Sequence, residues 1–294
     1  MFLAAFLVVP TQWFNQRSNN SYLANIGYGI KLHDTNCQIL VFGDSTAMVG
    51  ISPILLEKRT GLTACNIAEF AGMTQLLKTE IVDQFLQQNP TPRFIVFMYA
   101  PEYLNDDPRG KTRVSMFEAV SFSLEYEHNF NTMRVLATHP MMTIGWAEQG
   151  IRMAILRFFS RPFPSEVAHL RERYHGQLPV EAESRTVCTP PDKTAVMPEK
   201  KWAEDLRTRY QTAKTQVIVD ATPLASCDAS LPFLQQELVG TVDNIPYRPI
   251  PITSYLAFGR LHVNKTGASE ISNMIADQII ERLHPKAGKE EGGY

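Results

Sequence analysis

The chain lacks a charge excess, a nucleotide-binding motif and a close cysteine pair, and each absence excludes a class of function. The formal net charge of its 294 residues is −2, which gives no long-range electrostatic reason to expect nucleic acid as a partner. It has no Walker loop, no Gly-x-Gly-x-x-Gly motif and no zinc-type cysteine spacing, so no nucleotide or metal cofactor is implied. Its content of 44% hydrophobic and 20% charged residues is typical of an ordinary globular protein.

The most apolar segment, MFLAAFLVVP at residues 1–10, is too short to cross a bilayer, which needs about twenty apolar residues. No positive residues precede it, and no small-residue cleavage site follows it. One interpretation is that residues 1–20 are the remnant of a membrane anchor or signal-like segment, with Trp13 and Phe14 at the membrane interface. The alternative is a first strand or helix of the soluble core.

The cysteine content is compatible with export. Four cysteines permit two disulfides. Cys188 and Cys227 both lie in loop-like sequence, which favours pairing them with each other and Cys37 with Cys65. The alternative is four buried free thiols in a cytosolic enzyme, because a free cysteine packs as a small hydrophobic residue.

Strand-like apolar segments alternate with helical segments along most of residues 36–285. The predicted strands are residues 39–42, 63–68, 93–99 and 215–220, and the main predicted helices are residues 53–60, 73–89, 199–213 and 264–283. Residues 93–99 are continuously apolar, which is typical of a strand buried on both faces of a parallel sheet. The pattern predicts an α/β/α three-layer sandwich with a parallel, flavodoxin-like sheet.

Residues 106–199 do not follow this alternation, and we interpret them as a helical insertion that forms a cap over one edge of the sheet. The insertion carries arginines that could form a positive face toward an anionic glycan or phospholipid headgroups, although a solvated helix face is the favoured interpretation. These arginines are Arg152, Arg157, Arg161, Arg171 and Arg173. Residues 286–294 are predicted to be a disordered tail.

Two short signals near opposite ends of the chain carry the chemistry. The apolar run at residues 39–42 ends in Gly-Asp-Ser, so that a buried strand delivers Ser45 at its carboxyl end, where ligands of parallel sheets bind. The segment LHVNKTGA places His262 just before the last predicted helix. A serine needs an adjacent imidazole to become a good nucleophile, so the two together are typical of a serine esterase or acyltransferase. The alternatives are a turn or helix-cap serine and a capping or surface histidine.

Three segments, ILVFGDSTAMVGISP, NIAEFAGMT and LHVNKTGASEIS, resemble successive blocks of the SGNH/GDSL hydrolase superfamily. The resemblance covers most of residues 38–105 and 215–283 and leaves the insertion unexplained. It implies that Ser45 is the nucleophile and contributes its backbone N–H to the oxyanion hole, and that Asp44 supports the turn. It also implies that Gly72 supplies a second backbone N–H, unless it is a plain turn glycine, and that His262 is the base.

Two positions depart from the family pattern. The family's acid usually lies three residues before the histidine, and Gly259 occupies that position here. The site is therefore a Ser–His dyad, or its histidine is oriented by a backbone carbonyl or by a carboxylate from elsewhere. The family's Gly-x-Asn block is also missing after the third strand, where Asn105 is the candidate to complete the oxyanion hole. Glu102 could approach the site, but a solvated or capping role is favoured for it.

The resemblance extends to membrane-anchored SGNH-like proteins that work beside membrane-bound O-acyltransferases. It implies an exported protein, periplasmic or at the cell surface, that acts as an esterase or O-acyltransferase on acyl esters of a polysaccharide. The expected partners are an acylated polysaccharide or small acyl ester, the membrane through the N-terminal segment, and a membrane-bound O-acyltransferase. The alternatives are a soluble small-ester hydrolase and a catalytically weak module that binds a glycan or a membrane acyltransferase.

Overall fold

The computed structural model describes residues 25, 27–71, 74, 78–105, 144, 169–188, 198–257 and 260–285. The predicted N-terminal segment at residues 1–20, the predicted tail at residues 286–294 and most of the predicted insertion lie outside the described residues. Gly72 and Gly259 lie outside them as well.

A four-stranded sheet in the order β2-β1-β3-β4, with every neighbouring pair parallel, organises the fold. Its strands are β1 (Ile39–Gly43), β2 (Ala64–Asn66), β3 (Phe94–Tyr99) and β4 (Gln216–Ala221). All strands run in the same direction, so their carboxyl ends meet at one edge of the sheet. Gly43 at the end of β1 pairs with Met98 near the end of β3. This α/β architecture confirms the predicted fold class.

Helices lie on both faces of the sheet. Those described are α1 (Ser45–Gly50), α2 (Pro53–Thr60), α3 (Glu80–Gln88), α4 (Leu170–Arg173), α5 (Lys200–Tyr210), α6 (Leu231–Glu237) and α7 (Lys265–Leu283). Short 3₁₀ turns occupy Tyr28–Lys31, Pro101–Tyr103 and Ile252–Ser254. None of these helices is both long enough and apolar enough to span a bilayer, within the ranges described.

Alternate residues of each strand pack into two separate hydrophobic cores, one on each face of the sheet. On β1, Leu40 and Phe42 pack with α3, α5 and α6 on one face, whereas Ile39 and Val41 pack with α1, α2 and α7 on the other. Both sets of side chains are fully buried. Because side chains alternate between the faces of a strand, a continuous apolar run fills both cores, and the sheet forms the middle of three layers.

Short-range sequence signals set the ends of several helices. Pro53 occupies the first turn of α2, and Gly61 ends that helix in the left-handed conformation at φ 73°. Asn264 caps α7, where its side-chain oxygen accepts hydrogen bonds from the backbone N–H groups of Thr266 and Gly267. These boundaries agree with the sequence predictions for the two helices.

The outer edge of β4 is covered by the side chains of Asp243 and Asn244. The Asp243 carboxylate accepts from the N–H of Val219 at 2.7 Å, and the Asn244 amide both accepts from and donates to the backbone of Ala221. An exposed strand edge invites pairing with other chains, so these two side chains satisfy groups that would otherwise be open.

Both predicted disulfides are present. Cys37–Cys65 lies in the core near the amino-terminal ends of β1 and β2, and both of its residues are buried. Cys188–Cys227 joins the end of residues 169–188 to the loop after β4, and Cys227 is exposed. Two disulfides are typical of proteins in an oxidising environment outside the cytosol.

Arg171 is buried, which corrects the prediction of a solvated arginine at this position. Its guanidinium forms a 3.0 Å ion pair with Glu69, and the two side chains are 1% and 0% exposed. It also donates to the carbonyls of Gly176, Asn66 and Ala68 at 2.7–2.9 Å. Burial raises the pKa of Glu69 to about 7, against the opposing effect of Arg171. The five-donor guanidinium is suited to satisfy so many acceptors in one place, which a lysine could not do.

We expect Arg171→Met to lower the free energy of unfolding by about 3–5 kcal/mol, because it leaves Glu69 without its cation and three carbonyls without their donor. Arg173→Met, on the same helix but exposed, is the matched control and should change stability by less than about 0.5 kcal/mol. Urea denaturation of the two variants measures the difference. Equal stability of the two would contradict the assignment of Arg171 as a buried structural residue.

Candidate active site

Ser45 stands at the carboxyl end of the central strand β1, as the first residue of helix α1. Asp44 is the N-cap of that helix, and its side chain accepts from the N–H of Thr46. The chain therefore turns from strand to helix within a single residue. Gly43 permits β1 to approach β3 closely just before this turn, because a Cβ there would lie 1.8 Å from the carbonyl oxygen of Met98 on β3.

The carboxylate of Asp44 is fully buried and holds the ends of two strands together. One oxygen accepts from the Thr46 N–H at 2.8 Å and from the Thr46 hydroxyl at 2.6 Å, and the other accepts from the Ala100 N–H, just after β3, at 2.8 Å. The Thr46 hydroxyl also bonds that of Thr222, which follows β4. Burial raises the pKa of Asp44, and the hydrogen bonds from Thr46 and Ala100 oppose that rise. All the hydrogen bonds described for this carboxylate stabilise the turn.

Asn66, at the end of β2, supports helix α1 from its other end. Its side-chain amide donates to the carbonyls of Ala47 and Ile51 at 2.9 and 3.0 Å, and its oxygen accepts from the N–H of Ala68. The sequence reasoning assigned no role to Asn66. The available signal was a polar side chain at the end of an otherwise apolar strand, where burial demands hydrogen-bond partners.

His262 lies on a short antiparallel hairpin just before α7. The N–H of Leu256 donates to the carbonyl of His262 at 2.9 Å, and the N–H of Asn264 donates to the carbonyl of Ser254 at 2.9 Å. Tyr255 and Val263, which form a β-bridge between them, are both buried in the core. The flanking backbone therefore fixes the position of the His262 Cα atom, from which the imidazole projects.

The structure brings Ser45 and His262 together, with 2.9 Å between Oγ of Ser45 and Nε2 of His262. Burial lowers the pKa of His262, so the neutral ring predominates at neutral pH. In that form, a proton on Nδ1 leaves Nε2 free to accept the hydrogen bond from the serine hydroxyl. The pair thus has the geometry and protonation state of a nucleophile with its base.

Within the described part of the chain, no carboxylate accepts a hydrogen bond from Nδ1 of His262. Among the described residues, the hydrogen bond of its ring is to Ser45, and burial is the cause that lowers its pKa. The acid position of the family pattern, Gly259, lies outside the described residues.

The remaining candidate residues have no described hydrogen bond to Ser45 or His262. Asn105 is buried, and its amide donates to the carbonyl of Glu102 at 2.9 Å, within the turn that follows β3. In the described part of the structure, no hydrogen bond joins Asn105 to Ser45 or His262. Glu102 is half-buried in that same turn. Gly72, the second predicted oxyanion donor, lies outside the described residues.

A comparison of the chain with models of known protein families, with curated proteins and with solved structures gives no match. Across the described residues, no group of three or more His, Cys, Asp or Glu side chains is arranged to hold a metal ion. The site is therefore defined by its own geometry: a serine, its hydrogen-bonded histidine and a buried carboxylate that fixes the turn.

We expect the His262 imidazole to titrate below the ordinary histidine value of about 6.5, because burial disfavours its charged form. The measurement is an NMR titration of the ring Cε1–H signal, assigned by comparison with His262→Gln. The same residue in urea-unfolded protein is the reference, and its pKa should be the higher of the two. A native pKa equal to or above that of the unfolded chain would contradict the half-buried, neutral ring.

Proposed function

We propose that this chain is an SGNH-like serine esterase or O-acyltransferase that acts on acyl esters of an exported polysaccharide. The observation that carries the proposal is the 2.9 Å contact between Ser45 Oγ and His262 Nε2 at the carboxyl edge of a parallel sheet. Ligands of open α/β sheets bind at that edge, so the pair lies where a substrate would reach it. The resemblance of the surrounding segments to SGNH/GDSL blocks supports the same conclusion.

The chemistry that these residues would perform is acyl transfer through a covalent intermediate. Ser45 Oγ attacks the ester carbonyl while its proton passes to Nε2 of His262. The imidazolium then gives that proton to the departing alcohol oxygen as the bond from acyl carbon to oxygen breaks, which leaves an acyl-serine. Water or a sugar hydroxyl, deprotonated by His262, then attacks the acyl-serine. As the bond from the acyl carbon to Ser45 Oγ breaks, His262 returns the proton to Oγ, and the free acid or a new ester is released.

The turn around Ser45 would supply the electrostatic stabilisation. The backbone N–H of Ser45 and, from the resemblance, that of Gly72 would donate to the oxyanion of the tetrahedral intermediate. Asp44 would act indirectly, because its buried carboxylate holds the turn through Thr46 and Ala100. Donors held in place before the reaction cost no reorganisation when charge develops on the substrate oxygen.

The disulfides support an exported location for the proposed activity. Acylated polysaccharides of the cell envelope are substrates available in such a compartment, and a small acyl ester is a simpler one. A membrane-bound O-acyltransferase as partner, and attachment to the membrane through residues 1–20, rest on the resemblance and the N-terminal sequence alone.

The direct test is intact-mass analysis after incubation with p-nitrophenyl acetate, together with release of p-nitrophenol. We expect the wild-type chain to gain one acetyl group and to release p-nitrophenol, and Ser45→Ala to do neither. His262→Ala should be as inactive as Ser45→Ala, because an unassisted serine hydroxyl is a poor nucleophile. Adding oligosaccharide acceptors then separates a transferase, which makes a new ester, from an esterase.

Two control variants test whether the loss of any serine hydroxyl or any imidazole changes the reaction with p-nitrophenyl acetate. Ser269→Ala removes an exposed hydroxyl on α7, and His169→Ala removes an exposed imidazole from α4's N-cap. Both variants should react like the wild type. An adduct that persists in Ser45→Ala, or full activity in His262→Ala, would refute the proposed site.

A second candidate function is a catalytically weak module that binds a glycan or a membrane acyltransferase. The specific observation in its favour is the Nδ1 atom of His262, which has no carboxylate partner among the described residues. In a protease setting, replacing the acid that orients the histidine lowers turnover by about 10⁴-fold. A site without this acid would keep the contact between serine and histidine but would turn over its substrate slowly.

Gly259→Asp tests this second candidate, because it returns a carboxylate to the position that the family pattern expects. A decayed catalytic site should gain activity on p-nitrophenyl acetate in this variant. A working dyad should gain little or nothing. Gly259→Asn, which has nearly the same shape without the charge, is the matched control, and a gain shared by both variants would rule out restoration of an acid.

A further inference from the structure

Residues 177–188, called here the strap, run between the helix that carries Ser45 and the hairpin that carries His262. They come from the end of the predicted insertion, outside the segments that resemble the superfamily. Their contacts are made mostly by the backbone, so the sequence alone gave no indication of them. The strap's two ends are fixed by different means.

At its first end the strap bonds to helix α1. The N–H of Leu178 donates to the carbonyl of Met48 at 3.0 Å, and the side-chain amide of Gln177 donates to the carbonyl of Val49 at 3.0 Å. Leu178 is fully buried. These two bonds satisfy carbonyls near the end of α1, which have no partner within the helix.

At its second end the strap pairs with the hairpin of His262. The N–H of Arg185 donates to the carbonyl of Tyr255 at 2.8 Å, and the N–H of Ala257 donates to the carbonyl of Glu183 at 2.7 Å. Ser184 and Leu256 form an antiparallel bridge between these bonds. The strap is thus a third strand on the outer edge of the hairpin.

Each end of the strap also has a strong anchor. Before it, Arg171 is buried against Glu69 and bonds the carbonyl of Gly176. At its last residue, the Cys188–Cys227 disulfide ties the strap to the loop that follows β4. Exposed residues predominate from 181 to 187, so packing alone does not hold this stretch. The disulfide, the backbone bonds and a hydrogen bond from the side-chain amide of Asn264 to the hydroxyl of Ser184 at 3.1 Å hold it in place.

We propose that the strap is a positioning element that sets His262 against Ser45, and that the Cys188–Cys227 disulfide fixes its second end. This inference rests on the proposed function. Since no carboxylate orients Nδ1 in the described structure, the place of the imidazole depends on the hairpin backbone, which the strap supports from outside. Removing that support lets the imidazole move, and a displacement of about 1 Å at a reacting group can cost about 10²-fold in rate.

The chain offers a matched pair of disulfides for the test. The first double variant, Cys188→Ala/Cys227→Ala, removes the disulfide at the end of the strap. The second, Cys37→Ala/Cys65→Ala, removes the disulfide near the amino-terminal end of the sheet, away from Ser45. The sequence separations are 39 and 28 residues, so the effects of the two on the unfolded chain are similar. We expect labelling of Ser45 by a serine-directed fluorophosphonate to slow by at least about tenfold only in the first variant.

A second pair of variants leaves both disulfides intact. Arg185→Pro removes the N–H that bonds Tyr255. Arg185→Ala keeps that N–H and removes the side chain, whose Nε donates to the carbonyl of Val187 at 2.8 Å within the strap and not to the hairpin. We expect slower labelling in Arg185→Pro and not in Arg185→Ala. Normal labelling in both Arg185→Pro and a folded Cys188→Ala/Cys227→Ala variant would overturn the inference. Equal slowing in the two disulfide variants, or in the two Arg185 variants, would also overturn it, because it would mark a general loss of stability.

The NMR titration of His262 provides a readout that does not depend on catalysis. Loss of the strap should let the hairpin carry the imidazole away from its half-buried place beside Ser45. Its pKa should therefore rise toward the ordinary value in Cys188→Ala/Cys227→Ala and stay lowered in Cys37→Ala/Cys65→Ala. If wild-type Ser45 is not labelled at all, the proposed function fails, and this titration alone decides the inference. An unchanged His262 pKa in the first variant would then refute it.

Discussion

The buried carboxylate of Asp44 is the interaction on which the site depends. A charged group inside a protein is tolerated only when hydrogen bonds compensate for lost water, and Asp44 receives three, from Thr46 and Ala100. Those bonds cap α1 and join the ends of β1 and β3, while the Thr46 hydroxyl extends the network to β4. Ser45 is consequently held in a hydrogen-bonded turn at the carboxyl edge of the sheet.

His262 is held in a different way from Ser45, because it lies on a hairpin outside the sheet. Ser45 belongs to the sheet itself, whereas His262 belongs to a hairpin whose own pairing is short. Where a carboxylate orients the imidazole, modest movement of such a hairpin can be tolerated. Here, in the described structure, the support comes from backbone pairing with residues 183–185, and behind that from the Cys188–Cys227 disulfide. On the inference drawn above, the end of the predicted insertion therefore belongs to the framework of the proposed site.

The elements of regular structure were largely predictable, because their signals are local. Strands β1 and β3 are continuous apolar runs, β2 and β4 are mostly apolar, and α2 and α7 have a proline, a glycine or an asparagine at their ends. Helices α1 and α6 were not predicted. Helix α1 has six residues and α6 has seven, too few to show a helical period, and α1 depends on hydrogen bonds from Asn66 in another strand. Arg171 was expected in solvent for a related reason: its partner, Glu69, is 102 positions away.

By itself the sequence determined the parallel α/β fold and singled out the two candidate side chains, because apolar periodicity and the Gly-Asp-Ser and Leu-His-Val segments are local properties. Only the tertiary structure decided that Ser45 and His262 lie within hydrogen-bond distance, and that the carboxylate of Asp44 also bonds Ala100 after β3, because both contacts join residues far apart in the chain. Only it revealed that residues 177–188 connect the two halves of the site. The contacts of residues 177–188 are made mostly by backbone groups, and the backbone is chemically the same at nearly every position, so no pattern of side chains records them.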